Sequence, residues 1–304
     1  MLIRQSYKLN AKNIGVSMSK KLCISVNGGG IRGLWVSQFL LRLESDLGKS
    51  MAKQVKAVSG TSTGSIIAAA LAEGLSAAEI TDLYVNKGSK IFTKYPVYKR
   101  ILPKYPTYDN TNLKNILKGV LKGKMSEFKI PVFIPTTHMN GHSVEKVWDK
   151  GDKDVDKWFA VLTSCSAPTY FDVVVKDGES YCDGGLFMND PCMALQSGLK
   201  KSYPKFGDYK VLCFNTGGAI KHSDSGNKTL LEWATYFIEN VANAGDSNYF
   251  ELCANLGEEN VFRVSPKVDF KMDDVSKKAI GGLIDLGNSA YDSCRDELLK
   301  WMKS

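Results

Sequence analysis

The sequence predicts an α/β fold in three layers, with a mostly parallel central sheet covered by helices on both faces. Three observations carry this. Short apolar, β-branched runs alternate with stretches of 3.6-residue periodicity along the chain. Two of those runs, Lys21 to Asn27 and Val55 to Ser59, end in glycine-rich turns that lead directly into helices. No linker-like shift of composition divides the 304 residues. One domain over residues 19–304 is therefore expected, behind an extension of residues 1–18. Residues 1–17 carry Arg4, Lys8 and Lys12 and no acid, a weak transit-peptide signal set against a plain extension before Met18.

Each element has a local reason. After the first turn, Val36, Phe39, Leu40, Leu43 and Leu47 recur at helical spacing, and Gly48 is placed to end the helix. The second turn opens a small-residue helix from Ser65 to Glu73, closed by Gly74. Ser76 and Glu79 read as a capping box, starting a helix with Ile80, Leu83 and Tyr84 inward. Pro96, Pro103 and Pro106 predict an irregular segment over 92–108, and a helix follows from Asn112 to Leu121. Pro131 to His138 and Ser143 to Trp148 read as strands joined at Asn140-Gly141. A helix from Lys157 to Cys165 comes next, then a hairpin of Val173 to Lys176 and Glu179 to Cys182 around Asp177-Gly178. Asp190 and Pro191 read as N-cap and first residue of a helix. Tyr209 to Asn215 and Asn260 to Val264 read as strands, and the last 30 residues as mainly helical.

Composition narrows the function. Hydrophobic residues make up 43% and charged residues 24%, which excludes a disordered or low-complexity chain. The longest apolar run, Ile66 to Ala72, stops at Glu73, far short of a membrane span. Seven cysteines, an odd number without C-x-x-C spacing, point to buried thiols and a reducing compartment. The net charge of +8 is localised: Asn86 to Ile130 holds 11 Lys/Arg against Asp109 and Glu127. Such a surface suits an anionic partner.

The glycine-rich turns carry the chemistry. Gly28-Gly29-Gly30-Ile31-Arg32-Gly33 has G-x-G-x-x-G spacing between strand and helix. A dinucleotide site needs an acid at the end of the next strand, which instead ends in Ser59-Gly60. A P-loop needs Gly-Lys-Ser/Thr, where Arg32-Gly33-Leu34 stands. What remains is a row of backbone N–H groups at a helix start, suited to phosphate or a developing oxyanion. Gly60-Thr61-Ser62-Thr63-Gly64 is G-x-S-x-G at a strand-to-helix turn, the setting that exposes a serine Oγ. A serine nucleophile needs a base. His138 and His142 flank a turn and make no helical metal pair. His222 could complete a Ser…Asp…His order. Asp183 ends an apolar strand before Gly184-Gly185, and desolvation there would raise its pKa toward useful basicity.

Taken together, these motifs resemble the patatin-like phospholipase family. Residues 27–34 look like its oxyanion loop, and 60–64 like its nucleophile elbow. Ser-Ala-Pro-Thr-Tyr-Phe (166–171) looks like its Ala-Pro segment, and 183–191 like its Asp-Gly-Gly and Asn-x-Pro motif. Asn27, Ser65 and Asp190 depart from the common residues without removing a catalytic group. The resemblance implies a lipid acyl hydrolase with Ser62 as nucleophile and Asp183 as base, no histidine and no cofactor or metal.

Membrane lipid is the expected partner and nucleic acid is not. The expected location is cytoplasmic, with peripheral membrane contact through residues 92–108, where tyrosines interleave with Lys94, Lys99, Arg100 and Lys104. The alternatives are a basic binding module on residues 86–130, for anionic membranes or nucleic acid, and an α/β-hydrolase triad using His222.

Overall fold

The computed structural model describes residues 20–100, 105–140, 144–217 and 246–304. The expected extension lies outside them, and so do His142 and His222. At the centre is β1 (Lys21–Val26), flanked in parallel by β2 (Val55–Gly60) and β7 (Tyr209–Phe214). β3 (Val132–His138) extends the parallel set beyond β2, and β8 (Val261–Val264) extends it beyond β7. Antiparallel strands finish the β3 side: β4 (Glu145–Trp148), β6 (Glu179–Asp183) and β5 (Val174–Lys176). Among the described residues the sheet has eight strands in the order β5-β6-β3-β2-β1-β7-β8, with β4 on β3.

Both faces are covered, and β1 shows it by alternation. Leu22, Ile24 and Val26 join the larger apolar core, while Cys23 faces a smaller one. The larger core takes in α1 (Gly33–Leu47), α3 (Thr63–Glu73), α4 (Ala77–Ile91), α6 (Thr111–Val120), α7 (Lys157–Ser164) and the 27-residue α10 (Lys277–Lys303). The smaller core is made with α8 (Cys192–Ser202) and α9 (Ser247–Leu256). Two single-turn helices, α2 (Met51–Gln54) and α5 (Val97–Arg100), lie in connections.

Helix ends follow their sequence signals. Gly48 and Gly74 close α1 and α3 with φ of 62° and 98°, the left-handed backbone that glycine tolerates. The α4 capping box is complete: Ser76 Oγ accepts from the Glu79 amide and Glu79 Oε2 from the Ser76 amide. Asp177 and Gly178, both at positive φ, turn the β5–β6 hairpin. Two helix starts beside the site's turns differ from expectation. α3 begins at Thr63, directly after the elbow serine. α8 begins at Cys192, so Pro191 is its N-cap and Asp190 Oδ1 accepts from the Cys192 amide at 3.1 Å.

The described residues of 92–108 are irregular around the single turn of α5, and most of their aromatics turn inward; Pro103 and Lys104 lie outside the described residues. Phe92 packs on Tyr108 and Phe171. The Tyr95 hydroxyl donates to Asp172 at 2.6 Å and the Tyr108 hydroxyl to Asp273 at 2.7 Å. Lys99 lies over the rings of Tyr95 and Tyr105. Val97 and Tyr98 stay exposed, at 64% and 68%. Among the described residues, no helix is long and apolar enough to cross a membrane.

Candidate active site

The C-terminal ends of β1 and β2 bring the two glycine-rich turns side by side. Ser62 stands between β2 and α3 at φ 53°, ψ −125°, a conformation that L side chains rarely adopt. The turn is tight enough to dictate its neighbours. A Cβ on Gly60 would strike the Gly64 carbonyl, and one on Gly64 would strike the Val26 carbonyl. Thr61 Oγ1 donates to Met188 O at 2.7 Å. The Ser62 amide donates to Ser164 Oγ at 3.0 Å, and the Ser62 carbonyl accepts from Ser65 Oγ and Cys165 Sγ. Thr63 Oγ1 meets the Tyr84 hydroxyl of α4 at 2.5 Å.

Asp183 comes to the same place from β6, the strand bonded to β3. Its amide donates to Ser166 O, and its carbonyl accepts from Thr137 Oγ1. The turn after it runs so close to β3 that a Cβ on Gly184 would strike Pro135 O. Asp183 Oδ1 accepts from the Gly185 amide at 2.7 Å, while the buried Oδ2 lacks a partner in hydrogen-bond geometry. Burial pushes the carboxyl up to about 7; the Gly185 amide and the nearby Ser62 hydroxyl oppose the rise. The Cys165 thiol beside them is pushed far up by burial and by the Asp183 charge, so it stays protonated.

The first glycine turn forms another wall. Gly28 donates its amide to Asn189 O at 3.2 Å, Ile31 to Met272 O at 2.8 Å, and Arg32 to Gly29 O at 3.2 Å. The Gly33 amide is taken by Gly30 and Ile31 carbonyls. The amides of Gly29 and Gly30 have no such bond among the described residues, and both glycines line the cleft. Thr216 Oγ1 donates to Gly28 O, and the buried Arg32 guanidinium donates to Gly217 O, so Arg32 is an internal tether of this loop. Gly30 has φ 58°, and a Cβ there would meet Met272 O.

Ser62, Asp183, Gly29, Gly30 and Asn189 share one cleft of about 800 Å³, open to solvent. Ile66, Ile91, Phe92, Leu113, Phe171 and Met272 give it apolar walls. The Ala-Pro segment contributes Ala167, Pro168, Tyr170 and Phe171. His138 is elsewhere, paired with Glu179 at 2.5 Å and stacked on Tyr181. The sequence reading did not find Ser164, Tyr84, Thr216 or Met272. The signals were faint: Ser164 is a buried polar residue ending an apolar helix, and Tyr84 sits on a face read only as core.

A model of the family described as Patatin-like phospholipase matches residues 24–195, more than half of the chain. A cGAMP-activated phospholipase from Pseudomonas aeruginosa is 27% identical over 291 residues, 88% of this chain and 86% of its own length. One from Vibrio cholerae is 31% identical over 229 residues, 64% of either chain. The solved heterodimeric ExoU–SpcU complex from Pseudomonas aeruginosa aligns at 16% identity with a TM-score of 0.47. That alignment covers 95% of this chain and 53% of the other, so the chain spans about half that structure's length.

Proposed function

The chain belongs to the patatin-like phospholipase family, and on that premise we propose that it hydrolyses acyl esters of membrane lipids through a Ser62–Asp183 dyad and an acyl-serine intermediate. One observation carries the proposal: a buried carboxyl raised to about 7, its Oδ2 unpartnered, shares an apolar cleft with a serine on a strained elbow. A base with a pKa near the operating pH transfers protons most effectively. The relatives named as phospholipases supply the substrate class. We extend the family domain over residues 19–304, because β7, β8 and α10 complete the same sheet and core.

The chemistry follows from the positions. Asp183 takes the Ser62 hydroxyl proton as Oγ attacks the ester carbonyl carbon. The carbonyl oxygen becomes an oxyanion facing the Gly29 and Gly30 amides. Collapse breaks the bond to the alkoxide, which leaves with the proton from Asp183. Water then gives a proton to Asp183 and attacks the acyl-serine. Collapse restores Ser62, which regains that proton, and releases the carboxylic acid. The Gly28, Ile31 and Arg32 amides hold the loop in shape and stay out of this chemistry.

We place the membrane-facing surface at the exposed Val97 and Tyr98, with Lys94 and Lys99 around them. Tyrosine suits the interface, since one end is apolar and the other polar. The inward Tyr95 and Tyr108 support this segment beside the cleft wall at Phe92. Labelling by a fluorophosphonate, mapped by peptide mass spectrometry, tests the hydrolase reading. Ser62 is expected to carry the label in wild type and to lose it in Asp183→Asn; labelling confined to another serine would refute the dyad.

A further inference from the structure

Resting on the hydrolase reading, we propose that the cleft continues into a second apolar chamber that holds the distal carbons of the acyl chain and sets the preferred chain length. The chamber is a narrow, partly open space among α3, α4 and α6, with Ala70, Leu83, Ile116, Leu117, Val120 and Leu121 in its walls. It shares Ile66, Tyr84, Ile91 and Leu113 with the catalytic cleft, and these shared side chains form the neck of the proposed path.

The helices run from the chemistry toward the chamber. α3 begins at the elbow, and Ile66 and Ala70, one turn apart, line first the neck and then the chamber. The small Ala70 side chain leaves space that a larger residue would fill. On α6, Leu113 faces the cleft, and Ile116, Leu117 and Val120 follow at i+3, i+4 and i+7 on the same face. That face is about 10 Å long, at 1.5 Å rise per residue.

The lining selects the occupant. The one polar group in the walls, the Tyr84 hydroxyl, is held by Thr63 Oγ1 and Thr63 O, which leaves the ring to face the space. A headgroup would lose hydrogen bonds there, and an apolar cavity does not hold water well. An alkyl chain fits both the shape and the chemistry. Its carbonyl stays at Ser62 and its terminal methylenes pass the neck.

The test uses p-nitrophenyl butanoate, dodecanoate and hexadecanoate in the same mixed micelles. Ile116→Trp, at a half-buried position, and Ala70→Leu both reduce the chamber. Each is expected to lower the ratio of kcat/KM for the long esters over butanoate by about tenfold or more, the scale of lost methylene discrimination. Val120→Ala, which enlarges the chamber, is expected to raise that ratio and keeps the test open if the bulky variants fold poorly. Ratios equal to wild type in the folded variants overturn the chamber's role while leaving the hydrolase reading intact. Wild-type protein inert on every ester overturns the hydrolase reading itself, and the chamber's role with it.

Discussion

The backbone amide of Ser62 donates to Ser164 Oγ at 3.0 Å, and Ser164 Oγ donates onward to Pro135 O at 2.7 Å. This ties the strained elbow to α7 and to β3, the strand against which the Asp183 turn is pressed. Ser164→Ala removes the acceptor of that amide and the donor to a buried carbonyl. A loss of about 1–3 kcal/mol in stability is expected, the usual cost of an orphaned buried polar group. On a soluble ester, kcat should fall more than KM rises. Denaturant melts and initial rates check both; unchanged kcat would mean that Ser164 does not position the elbow.

The pH dependence follows from Asp183. With the carboxyl pushed up to about 7 by burial, it is protonated below that pH and takes no proton from Ser62. Hydrolysis of a soluble ester should rise through pH 7 to a plateau. A rate flat across this range would exclude Asp183 as the base.

The same shift has a stability consequence of definite sign. The folded carboxyl sits at about 7 against an ordinary 3.8, so between these values the folded state holds a proton that the unfolded chain has released. Stability therefore falls as the pH rises through that window, by on the order of 4 kcal/mol in full. Asp183→Asn keeps the Oδ1 acceptor for Gly185 and removes the charge. It should melt above wild type at alkaline pH, with the gap closing as the pH falls toward 4. Thermal melts across pH measure this, and parallel curves for the two proteins would contradict it.

The proposed oxyanion loop gives a sharper test than its motif did. The Gly29 and Gly30 amides make no backbone hydrogen bond among the described residues, while those of Gly28, Ile31 and Arg32 are taken. Gly30→Ala adds strain at φ 58° and a Cβ against Met272 O, which rotates the amide off the cleft. A fall in kcat of about 100- to 1,000-fold is expected on soluble esters, with the fold retained by circular dichroism. Full activity in a folded variant would move the oxyanion site elsewhere.

Much of this site was legible because local geometry demanded it. Gly60 and Gly64 mark a turn whose carbonyls admit no Cβ, and Gly184 marks a turn pressed on β3. Such constraints leave a trace in the sequence. Contacts from far along the chain do not. Nothing in the pattern announces that Asn189 O holds Gly28, or that Met272 O holds Ile31. The orientation of the tyrosines of 92–108 was not legible for a related reason. A proline-broken segment has no periodicity, so composition could not say that Tyr95 and Tyr108 turn toward Asp172 and Asp273 while Tyr98 faces water.

The proposed membrane surface yields its own outcome. Replacing Val97 and Tyr98 by Ser, together with Lys94 and Lys99 by Gln, should weaken co-sedimentation with anionic phospholipid vesicles. The effect should shrink as salt rises, since charges at a lipid surface are screened. Equal sedimentation of variant and wild type at low salt would remove this segment from the docking surface.

Ser62 and Asp183 are proposed to act together on a lipid ester. The most direct measurement of this is product release from phospholipid vesicles, quantified by mass spectrometry for wild type, Ser62→Ala and Asp183→Asn. Free fatty acid and lysolipid are expected from wild type, with a fall of at least about a thousandfold in either folded variant. Wild-type rates of release from folded Ser62→Ala or Asp183→Asn would contradict this joint role.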